Sequence, residues 1–165
     1  MYGSYGLAIS PIDGNVILYG NTNSGIFQAR VSPNSITDRS KYEYYDASTK
    51  TWSKTIPSPS STTAPIIPGL YSSGDIFYSA FYGTWLAIYF NGYADSTFRM
   101  RYSTTGKSSG PWSGEQVLYT TTGSPNGTAY NYGGHAYWMQ NPATDANGRK
   151  GASNTILLSL SLIHI

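Results

Sequence analysis

The feature that most constrains this chain is a pattern of strands and turns that recurs along it. Its fullest copy runs from Gly74 to Thr120. GDIFYSAFYG and TWLAIYFN read as two strands dense in aromatic and aliphatic residues, the types that suit a pleated, buried surface. The polar turn GYADS follows. Next comes STFRMRYST, which alternates with Phe98, Met100 and Tyr102 on one face and Arg99 and Arg101 on the other. After the breaker run TGKSSGPWSG, EQVLYT supplies a fourth strand, so one antiparallel module is complete within the stretch.

Parts of that module occur on both sides of it. Upstream, NVILYGN matches TWLAIYFN and SGIFQARVS matches STFRMRYS, setting Asn21 against Asn91, Arg30 against Arg101 and Ser32 against Ser103. Trp52-Ser53 then corresponds to Trp112-Ser113, and a fourth strand is expected around Tyr42 to Tyr45. Downstream, GGHAYWMQNP and NTILLS read as the first two strands of a third unit. First strands open at Gly6-Leu7, Gly74-Asp75 and Gly134-His135.

The offset of roughly 60 to 70 residues is longer than that of the short propeller repeats, but four strands per unit are the mark of a β-propeller. The expected fold is therefore all-β, with four-stranded antiparallel blades and about two and a half of them in this chain. The blades span residues 1–54, 74–120 and, in part, 134–159. The Pro/Ser/Thr-rich segment 55–73 and the polar segment 121–133 connect them. Residues 160–165 depart from the pattern and are expected to be non-native, the alternative being a strand continuation. Because a ring closes with about four to eight blades, further blades of the same chain are expected as partners.

Composition narrows the function classes. Charged residues make up 11% of the chain and the net charge is only +2, with the basic residues scattered. That is not the clustered footprint of a nucleic-acid binder. No apolar run approaches the roughly 20 residues of a membrane span. The absence of cysteine excludes disulfides and thiolate metal sites. A low charge fraction with abundant Tyr, Ser, Thr and Gly favours an extracellular β protein.

Alternating strand direction decides which loops share one side of such a fold. Loops joining strands two and three, and loops joining one blade to the next, meet at the end where first strands begin. That end collects Asp75, His135, the turns around Asn21 and from Asn91 to Asp95, and the aromatic approaches Tyr71, Tyr130 and Tyr132. Trp52 and Trp112, read as lying between strands three and four, fall at the opposite end and are expected to be structural.

The residue after each repeated glycine faces the mouth of the central channel, and it changes from Leu7 to Asp75 to His135. An acid and an imidazole at equivalent places suit one site at the axis, where they could move protons or bind an ion or water. In the plainer reading, Asp75 accepts from turn amides and His135 is a hydrogen-bonded channel residue. Asn91, Asp95, Tyr71 and Tyr132 are the candidate substrate contacts. No cofactor is expected, a central metal ion beside His135 being the open alternative.

SGDIFYSAFYGTWLAIYF, FRMRYSTTGKSSGPWS, EQVLYT and YGGHAYWM together resemble the five-bladed propeller proteins of domain-of-unknown-function family 4185. The phrase of strand, Arg-Tyr-Ser and Gly-Pro-Trp is shared loosely with other five-bladed glycosidases, and Gly134-His135 is similar to their axial histidine. The resemblance implies later blades of a five-bladed ring in a secreted, glycan-active protein. It implies a glycoside hydrolase acting on polysaccharide or oligosaccharide, in the manner of the endo-D-arabinanases among those relatives. Such hydrolysis uses two carboxyl groups. The family's pair would fall largely in earlier blades, leaving Asp75 as a supporting carboxylate and this stretch inactive alone. A non-catalytic, lectin-like propeller is the alternative, and a scaffold propeller a third.

Overall fold

The structure, a computed structural model, describes residues 2–3, 5–57, 63–69, 71, 73–90, 97–120, 132–133, 156, 158 and 161–162. Runs of β-branched and aromatic residues set the first three strands, β1 (Gly6–Ile9), β2 (Val16–Thr22) and β3 (Gly25–Val31). They are followed by β4 (Glu43–Asp46), β5 (Thr51–Ser53) and β6 (Ile67–Pro68). The second unit is β7 (Ser73–Ser79), β8 (Thr84–Phe90), β9 (Thr97–Tyr102) and β10 (Gln116–Thr120). Two short strands, β11 (Tyr132–Gly133) and β12 (Ser161–Leu162), pair with each other. Among the described residues there is no α-helix, only single 3-10 turns at Pro33–Ser35 and Arg39–Lys41.

Sheet one runs β1-β2-β3-β4-β5 and sheet two β10-β9-β8-β7, with all pairings antiparallel. Their registers repeat along with their sequences. Gly6 stands opposite Tyr19 and Tyr19 opposite Gln28; in sheet two Gly74 stands opposite Tyr89 and Tyr89 opposite Arg99. The expected strands of both units are thus found at their expected places. Among the described residues the two sheets do not close into a ring or barrel.

The sheets pack against each other through one core, in which Ile17, Tyr19 and Ile26 of sheet one meet Ile76, Trp85, Ala87 and Tyr89 of sheet two. The first strands β1 and β7 lie side by side along one edge of this packing. Trp85, Tyr19 and Tyr89 are completely buried, and side chains of this size contribute about 1.5–3 kcal/mol each on leaving water. Beyond sheet two a second cluster of Ile88, Phe90 and Phe98 is covered by Ile156 and Leu158. Both residues fall in the stretch NTILLS, expected as a strand, and neither belongs to one among the described residues.

Three readings of the sequence change. The connection 55–73 is more than a loop: Ile66 and Ile67 are buried in the main core, and β6 pairs with Gly25 and Ile26 at the end of β3 that β4 leaves open. Pro68 is tolerated there because β6 is a two-residue edge strand. Ile67→Val should lower unfolding stability by about 1 kcal/mol in a urea titration, as expected for a methylene lost from a tight core. Second, Trp52 is not in a turn between strands three and four. It lies on β5, the edge strand after β4, where its ring packs at a tilt against Tyr45 and lies under the Arg30 guanidinium at 4.1 Å. Trp112 does lie between strands three and four, bridged to Ser103. Third, Ser161–Leu162 of the segment set apart as a tail forms a strand pair with Tyr132–Gly133.

Candidate active site

The seam between β1 and β7 is built on two reciprocal close approaches. Asp75, third residue of β7, turns its carboxyl toward β1, so that a Cβ on Gly6 would come within 2.7 Å of Oδ1. In the other direction Tyr5 reaches across to β7 and donates its hydroxyl to the Ser73 carbonyl at 3.1 Å. A Cβ on Gly74 would run into that hydroxyl and stand 2.6 Å from the Ile88 carbonyl. Each repeated glycine is therefore the space into which the other unit inserts a side chain. The sequence marks them as strand starts; what they make room for is visible only when the two sheets meet.

Asp75 is half-buried, and loss of water raises its pKa from an ordinary 3.8 to about 6. The one opposing effect, the Ile76 N–H donating to Oδ1 at 2.8 Å, is the weaker. A carboxyl in this state holds its proton in mildly acidic water and can release it close to neutrality. Burial likewise raises the phenols of Tyr5 and Tyr19, and the Asp75 charge pushes both further, which marks the three as one electrostatic neighbourhood.

Next to this seam lies a polar array that the sequence reading left in pieces. Glu115, just before β10, pairs through Oε1 with Arg99 Nε at 2.8 Å and through Oε2 with Arg101 at 3.6 Å. The Tyr89 hydroxyl donates to Glu115 Oε2 at 3.0 Å and accepts from Arg101 Nε at 2.8 Å. Arg99 and Arg101 thus bridge to neighbouring strands, as their alternation suggests. Glu115 was the missing partner, and its sign was the two arginines spaced by two on the adjacent strand.

The other candidate residues are distributed unevenly. Tyr71 packs its ring 4.3 Å from that of Tyr89; its carbonyl accepts from Asn21 Nδ2 at 2.7 Å and its hydroxyl donates to the Pro68 carbonyl at 2.9 Å. It stands beside the seam as a member of the inter-sheet packing. Tyr132 lies on β11. His135, Asn91 and Asp95 lie outside the described residues. Among the described residues no group of three His, Asp or Glu could hold a metal ion.

No family model matches the chain, and no curated protein does. Among solved structures it is similar to a "putative hydrolase" from Bacteroides ovatus ATCC 8483, with 22% identity and a TM-score of 0.59. The match covers 73% of this chain and 30% of that one, so the chain spans under a third of the length of the structure it resembles. At that identity the likeness is one of fold.

Proposed function

We propose that the two sheets are neighbouring blades of a β-propeller, related to the family 4185 proteins, and that the propeller is a secreted glycoside hydrolase with its site at the axis. The observation that carries this reading is Asp75: a carboxyl desolvated to a pKa of about 6, held where the first strands of two repeated units meet. Glycoside hydrolysis needs a carboxylic acid that is still protonated near working pH to protonate the leaving oxygen, and desolvation is how proteins provide one. Asp75 serves as that acid or supports it, together with His135 from the following unit. Carboxylates from further blades of the same chain complete the pair. The axial positions differ from unit to unit, Leu7 against Asp75, which suits a single central site better than several equivalent sugar sites.

The test is release of reducing sugar from soluble polysaccharides, arabinans included, by the protein with its flanking sequence. Asp75→Asn is expected to cut turnover by about 10²–10⁴-fold, the usual worth of a positioned acid or base. The wild-type rate should fall as pH rises through about 6, as the proton leaves. Unchanged turnover in Asp75→Asn would remove Asp75 from the reaction.

A further inference from the structure

A second polar cluster lies between the sheets, and nothing in the proposed reaction uses it. Gln28 and Trp85 are completely buried and Ser103 almost so. Four side-chain atoms there have no hydrogen-bond partner: Gln28 Oε1, Trp85 Nε1, Trp112 Nε1 and Ser103 Oγ. The backbone draws them together. Ser103 N–H donates to the Trp85 carbonyl at 2.8 Å, and Trp112 is bridged to Ser103. The Tyr19 ring lies 6.5 Å from that of Trp85, while Gln28 stands opposite Tyr19 on the next strand. Gln28 Nε2 donates to Ser108 Oγ at 2.7 Å, which leaves Oε1 as the end of the amide without a partner.

Leaving one such group buried and unpaired costs about 1–3 kcal/mol, so four carried on neighbouring strands call for partners. The inventory says which. Two indole N–H groups can only donate, the amide oxygen can only accept, and the hydroxyl can do either. Water has two lone pairs for the indoles and two protons for Gln28 Oε1 and Ser103 Oγ. A halide could take the indole protons but would leave Gln28 Oε1 facing an anion, in the same core where the Asp75 charge already raises Tyr19.

We infer that this cluster is a built site for ordered internal water, which joins β3 of sheet one to β8 and the end of β9 in sheet two. Internal waters of this kind bind otherwise unsatisfied buried groups through about three hydrogen bonds each. The inference does not depend on the proposed hydrolysis.

The experiment is water-selective NOE spectroscopy on the full chain labelled with ¹⁵N-tryptophan, with indoles assigned by single Trp→Phe variants and a bromide titration run alongside. The Trp85 and Trp112 indole protons should show direct cross-peaks of the sign that marks long-lived water, unmoved by bromide. Gln28→Met, which keeps the volume and removes the acceptor, should abolish or weaken them. Indoles without water cross-peaks, or indole shifts that follow bromide, would overturn the assignment; once the indoles are assigned, both are read on wild-type protein.

Discussion

Gly74→Ala is expected to be strongly damaging for a single-methyl change. The space the methyl needs is taken by the Tyr5 hydroxyl and, at 2.6 Å, by the Ile88 carbonyl. The second of these is backbone on the paired strand and cannot step aside, and Tyr5 is itself buried in the main core. Overpacking a filled core costs about 1–3 kcal/mol, and a clash with backbone belongs at the top of that range. Urea unfolding should therefore show a loss of about 3 kcal/mol. Gly6→Ala should cost less, because its new methyl meets the end of the Asp75 side chain, which can rotate. Tyr5→Phe in the Gly74→Ala background should recover part of the loss, since it removes one of the two colliding oxygens. Equal effects at Gly6 and Gly74, or no recovery, would mean that the seam is not packed as described.

The second large effect runs the opposite way, toward stability. Asp75 has a folded pKa of about 6, above the 3.8 of an ordinary aspartate. Below about pH 4 the carboxyl is neutral in both states and folding bears no charge penalty. Between the two pKa values the unfolded chain gives up the proton while the folded chain keeps it, so stability falls as pH rises. Above about pH 6 the loss is complete. A shift of this size corresponds to about 3 kcal/mol at most, and about 2 kcal/mol after allowance for solvent at a half-buried group. Asp75→Asn keeps the shape and the acceptor for the Ile76 N–H but carries no charge. It should gain about 2 kcal/mol near pH 7.5, gain almost nothing at about pH 3, and flatten the slope between. Because most substitutions destabilise, a gain that coincides with lost turnover would mark Asp75 as a residue kept for chemistry at the expense of the fold.

How much of this was legible in the sequence depends on the range of the interaction. Period-two alternation and turn residues act within a strand or a hairpin, so β1 to β3 and β7 to β10 were readable, as was the alternation of Arg99 and Arg101. The register repeat was readable too, since it follows from matched hairpins. β6 was not, because Pro-rich composition argues against strands in general, while a two-residue edge strand needs only one free stretch of β3. Trp52 and Trp112 share a Trp-Ser pair and nothing else; the longer excursion through the 3-10 turns puts Trp52 on an added edge strand. At the site, the change from Leu7 to Asp75 singled out the carboxyl but not the seam that encloses it. Tyr5 and Glu115 were passed over because each acts across to another strand or sheet, through partners that local pattern does not reveal.

The most direct test of the seam is the titration of the Asp75 side-chain carboxyl carbon by ¹³C NMR, assigned by comparison with Asp75→Asn. If β1 and β7 enclose the group as described, its midpoint lies near 6. A midpoint near the ordinary value of about 3.9 would place the carboxyl in open water and contradict both the seam and the acid proposed for it.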